Sequence, residues 1–136
     1  MHRQDDPVPF LGPEVDSQWP HAMRVHTAEN GQESPLHRHA MGQLVLSLQG
    51  GVTCAVPQGL WMVPPQCGVW IPGGVPHSNR VTQNGRVCFL FVPPAAAGLP
   101  EQCCTLAISP LVRELIIHLA DLAPEAAATA ATRKLA

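Results

Sequence analysis

Apolar residues recur in short alternating runs along most of this chain, cut at close intervals by proline or glycine. Near the end they change to a helical period. Runs suited to strands cover 24–28, 42–49, 52–56, 60–63, 68–71, 78–82, 86–92 and 103–108. Turns between them fall at Asn30-Gly31, Gly50-Gly51, Pro57-Gln58-Gly59, Pro64-Pro65, Pro72 to Pro76 and Gln83-Asn84-Gly85. The Asn-Gly step is a strong hairpin signal, because both residues tolerate positive φ. Short strands spaced roughly 8 to 12 residues apart predict an all-β sandwich or closed barrel.

Beyond Pro100 the pattern changes. Ser109 is placed to cap a helix with Pro110 at its first position. Leu111, Leu115, Leu119 and Leu122, with Val112, Ile116 and Ala123, then form a broad apolar stripe. That stripe suits packing on the barrel or a dimer interface. The organisation read from the chain is an N-terminal arm over 1–23, a barrel over 24–108 and a helix over 109–123. The Ala-rich 124–136 reads as a linker or the start of a further segment, as in a piece of a longer protein.

Composition narrows the functional classes. With 136 residues the chain makes one domain, 46% hydrophobic and 13% charged, which predicts a packed core rather than disorder. Its eight Lys+Arg are scattered and the net charge is −2, so the chain has no basic surface suited to nucleic acid. Cys54, Cys67, Cys88, Cys103 and Cys104 are odd in number and lack a C-x-x-C spacing. They read as reduced core residues of a cytoplasmic protein. Neither a signal peptide nor a membrane span is expected.

The candidate chemistry lies in His37-x-His39-x-x-x-Gln43 and in His77, which follows the Pro/Gly-rich Pro72 to Pro76. Side chains at i and i+2 of an extended segment share a face, and Gln43 keeps the parity of the two histidines. Three imidazoles suit Zn²⁺, Ni²⁺, Cu²⁺ or Fe²⁺ and leave positions for water or an anion. Zinc or nickel fits best by ligand type, iron less well. A metal-free cluster of hydrogen-bonded polar groups is the alternative. Val45 and Ser47 share the parity of Gln43 and are candidate ligand-binding wall residues. Trp61, Trp70, His26 and Arg38 are further candidates, Arg38 for an anionic effector. Leu44, Leu46 and Leu48 fall on the opposite face, which the helix or a second subunit should cover.

The spacing Gly31, His37-x-His39, Gln43, Gly50 resembles the first cupin motif, and Pro72-x-Gly74-x-x-His77 resembles the second. In the second motif Val81 stands where an asparagine is usual, with Asn79 nearby. The resemblance implies a cupin double-stranded β-helix, a jelly-roll barrel. The segments from His37 to Leu44, Gly59 to Gln66, Val69 to His77 and Leu106 to Ile116 further resemble the N-terminal domain of AraC-type transcription regulators. That family implies effector sensing and homodimerisation by this domain. DNA would be bound by a C-terminal helix-turn-helix domain that this sequence lacks. The second reading is a stand-alone metal-dependent cupin enzyme, a dioxygenase or isomerase. Gln43 weighs against it, since cupin enzymes usually carry glutamate there.

Overall fold

A computed structural model describes residues 20–26, 32–94 and 98–122. Among the described residues, nine strands precede one helix: β1 (His21–His26), β2 (Gln32–Glu33), β3 (Gly42–Gln49), β4 (Val52–Val56) and β5 (Gly59–Met62), then β6 (Cys67–Ile71), β7 (Ser78–Val81), β8 (Arg86–Val92), β9 (Cys104–Ala107) and α1 (Pro110–Leu122). They form two antiparallel sheets. One is five-stranded in the order β1-β8-β3-β6-β9, the other four-stranded in the order β2-β7-β4-β5. This is a cupin jelly roll, two sheets around a shared core, followed by a C-terminal helix.

The alternation read along β3 sorts its residues between two cores. Val45 joins Val52, Cys54, Val69, Phe89 and Phe91 inside the barrel. Leu44 and Leu46 join Ala22, Trp70, Cys88, Ile116 and Ala120 on the outer face of the five-stranded sheet. Register makes each core a set of rows. His21, Phe91, Gln43 and Ile71 lie opposite one another across four strands, and Met23, Phe89, Val45 and Val69 form the next row inward. Trp70 pairs with Leu44, so it belongs to the outer face.

The helix is what buries that outer face. Ser109 caps it as expected: its Oγ accepts from the Val112 N–H at 3.2 Å and its carbonyl from the Arg113 N–H at 2.9 Å. Ile116 and Ala120 are buried against the sheet, with Leu119 partly so. An Arg24–Asp121 ion pair at 2.8 Å joins β1 to α1. Being exposed on both sides, it adds at most about 1 kcal/mol. Leu111, Leu115 and Leu122 face outward, 70%, 57% and 67% exposed, so the stripe is wider than its own barrel can cover.

Two strands differ from expectation. β1 begins at His21 rather than Arg24, and the two-residue β2, too short for a periodic signal, pairs with β7 at Gln32↔Val81 and Glu33↔Arg80. Asn84 adopts φ 53° in the hairpin between β7 and β8, as its Asn-Gly step predicts. The expected turn at Asn30-Gly31 and the tail over 124–136 lie outside the described residues. Among the described residues no helix is long and apolar enough to cross a membrane.

Candidate metal and ligand site

The two histidine-bearing segments are fastened together through their backbones. His37 and His77 form an antiparallel bridge, with the His37 N–H donating to the His77 carbonyl at 2.9 Å and the reverse bond at 2.8 Å. The Gly74 N–H donates to the His39 carbonyl at 2.8 Å. Close approach requires the neighbouring glycine: a Cβ on Gly73 would lie 2.1 Å from the Ala40 carbonyl oxygen. Gly42 likewise admits the Trp70 ring, whose Cη2 would be 2.2 Å from an added Cβ. Trp70 therefore buttresses the strand that carries Gln43 from behind.

These contacts bring His37, His39 and His77 together, with ring nitrogens all within 4.8 Å of one another. All three are buried, as is Gln43. Each ring is oriented by a carbonyl two residues away. His37 Nδ1 lies 2.7 Å from the Pro35 oxygen, His39 Nδ1 2.7 Å from that of Met41, and His77 Nδ1 2.9 Å from that of Val75. A carbonyl only accepts, so the proton of each neutral ring sits on Nδ1 and the lone pair on Nε2. Burial holds His77 down to about 4, an effect to which His37 and His39 add and which the Val75 carbonyl opposes. His77 is thus neutral at ordinary pH.

Gln43 Oε1 lies 3.0 Å from His39 Nε2 and 3.1 Å from His77 Nε2. In that orientation an acceptor faces two lone pairs. Two arrangements remove the conflict: a cation among the four groups, or a turned amide whose NH₂ donates to both rings. The donor set fits a divalent metal of intermediate softness, with three imidazoles, one amide oxygen and no carboxylate. Among the described residues the carboxylates Glu33, Glu101, Glu114 and Asp121 are all exposed.

The proposed wall residues separate. Val45 is fully buried in the barrel, and Trp61 packs partly buried on the same core opposite Cys54. Ser47 is corrected: its Oγ donates to the Gly50 carbonyl at 2.9 Å beside the hairpin, about 13 Å along the strand from Gln43. Trp70 is corrected too. Its parity places it on the helix side, where Nε1–H donates to the Pro100 carbonyl at 2.7 Å. Arg38 alternates with the two histidines and is half-buried. His26 closes β1 opposite Arg86, and its side chain lies outside the described residues.

Sequence reading missed His21 and Phe91. The His21 ring stands 5.2 Å from Phe91, and Phe91 meets His39 edge-on at 5.6 Å. Extending the odd parity of Met23 and Val25 back by one step would have found His21, had the strand start been placed earlier. All five cysteines are free, Cys54 and Cys88 buried and the other three partly so.

No family model matches the chain. Over 114 residues, 84% of its length, it is 53% identical to the HTH-type transcriptional regulator NimR of Escherichia coli (strain K12). The chain spans 42% of that relative's length. Among solved structures, a variant oxalate decarboxylase of Bacillus subtilis matches 60% of this chain and 23% of its own at 15% identity, TM-score 0.48. A second structure of that enzyme, concerned with its Mn(II) centres, matches 67% and 24% at 16% identity, TM-score 0.48. By sequence, this cupin barrel is similar to one portion of a helix-turn-helix transcriptional regulator.

Proposed function

We propose that this chain is the effector-sensing and dimerisation part of an AraC-type transcription regulator working in the cytoplasm. Its barrel binds a small molecule, a divalent metal or both through His37, His39, Gln43 and His77. Zinc or nickel suits these donors better than iron. A separate C-terminal helix-turn-helix domain contacts DNA. The observation that carries the site is the common orientation of the three imidazoles, each with Nδ1–H spent on a backbone carbonyl and Nε2 turned inward.

In this reading the rings need no reorganisation to bind, because their tautomers are fixed by main-chain groups that cannot titrate. A bound metal supplies a positive centre for an anionic or lone-pair-bearing effector. The apolar barrel around it excludes water and strengthens that attraction. Regulation then requires that effector and DNA have different affinities for two states of the whole protein. The outward apolar stripe of α1 is the surface suited to a second subunit. An enzymatic role is disfavoured by Gln43 and by the lack of a buried carboxylate to move a proton among the described residues.

The test is elemental analysis of protein purified without a polyhistidine tag. About one metal per chain is expected, with loss in His77→Ala that keeps its circular dichroism spectrum. Sub-stoichiometric metal unchanged by that substitution would favour the turned amide and a metal-free pocket.

A further inference from the structure

We propose that the Asn79 side chain is a second anchoring point inside the barrel, accepting a hydrogen bond from the far end of a short hydroxy- or amino-substituted carboxylate whose carboxylate end is held at the histidine centre. The proposal rests on the sensing role given above and names the class of ligand.

Asn79 is 7% exposed, yet its Oδ1 is buried without a hydrogen-bond partner. It is the one such side-chain atom found among the described residues. Its backbone is fully used: the N–H donates to Ser34 Oγ at 2.9 Å and the carbonyl accepts from the Ser34 N–H at 2.9 Å. The strand is thereby pinned to the Ser34 segment. Register fixes where it faces. Asn79 lies opposite Cys54, which lies opposite Trp61, and Cys54 is fully buried in the barrel core. Arg80, on the alternate parity, is exposed. The amide is therefore directed at the interior, two residues along the chain from His77.

An acceptor left unpaired in an apolar interior is costly, so a donor belongs there. In extended chain the Cα atoms of His77 and Asn79 lie about 7 Å apart with their side chains on one face. Two groups so close along one strand suit a ligand only a few atoms long. Charge selects the other end. Three neutral imidazoles and a neutral amide leave a divalent ion uncompensated, which favours a carboxylate there. Val45 and Val69 line the same interior and demand an apolar body between the two ends.

The experiment compares 3-hydroxypropanoate with propanoate on the full chain in the presence of zinc, by calorimetric titration, for the wild type and Asn79→Leu. Zinc alone should raise the melting temperature of both proteins. Wild type should prefer the hydroxylated probe by about five- to tenfold, the effect of one hydrogen bond. Asn79→Leu should bind the two probes equally and, free of ligand, melt no lower than wild type, since it removes an unpaired group. Equal binding of the probes by wild type, binding of neither, or preference retained in Asn79→Leu overturns the proposal. A lower melting temperature in Asn79→Leu with no probe preference in wild type assigns Asn79 to a buried water instead. An intact zinc shift in those cases leaves the histidine centre standing, whereas its absence from wild type removes both.

Discussion

At the histidines, the proposed binding depends less on which residues are present than on which nitrogen carries the proton. His37, His39 and His77 each give Nδ1–H to a carbonyl within two residues of themselves, so local backbone sets the tautomer and the long-range bridge only brings the rings together. The cysteines are treated in the opposite way. Burial pushes the Cys54 thiol up to about 12, with Cys103 adding to it, and burial also lifts Cys88 to about 11. The thiolate is the reactive form, so raising a thiol from 9.0 to about 12 lowers its thiolate fraction about a thousandfold near pH 8. With native protein treated with iodoacetamide at pH 8 and mapped by mass spectrometry, Cys54 and Cys88 should stay unmodified while Cys67 and Cys104 react. Labelling of Cys54 should increase about tenfold per pH unit for as long as the fold survives. Modification of Cys54 at the rate of a denatured control would contradict its buried position.

Among the elements, β3 and α1 carry most of the organisation. β3 is buried on both sides because barrel and helix cover opposite faces, which explains an apolar run in a strand that also holds Gln43. α1 covers the leucine row with Ile116, Leu119 and Ala120 while Leu111, Leu115 and Leu122 stay outside. If that outer stripe joins two subunits, Leu111→Glu with Leu115→Glu should convert a dimer to a monomer in sedimentation velocity. Surface substitutions of this kind shift the fold's own stability by only about 0.5 kcal/mol each, so the barrel should remain folded. A wild type that sediments as a monomer at high concentration would remove the dimer from the proposal.

For the whole molecule, charge and fold point the same way. A net charge of −2 without a basic run gives little attraction to phosphate. Residues 1–136 should therefore produce no band shift with DNA carrying the regulator's binding site at moderate salt. A specific shift would show that the barrel itself contacts DNA.

Much of this was legible from residue order. Turn residues and period-two alternation placed seven of the strands to within a residue or two, from Gly42–Gln49 to Cys104–Ala107, because those signals are local. Parity also grouped His37, His39 and Gln43 correctly and set Leu44 and Leu46 against them. Parity alone could not say how far along the barrel a residue sits, or which face its partner strand presents. Ser47 therefore falls at the wrong end, and Trp70 falls on the outer face through its register with Leu44. His21, Phe91 and the unpaired Asn79 amide emerge only from pairings between strands distant in sequence. The sequence by itself determined the strands of the barrel and the polar residue types of the candidate site, since both follow from short-range spacing. The tertiary structure decided which groups converge and which polar atom lacks a partner, since those depend on contacts that no local pattern encodes.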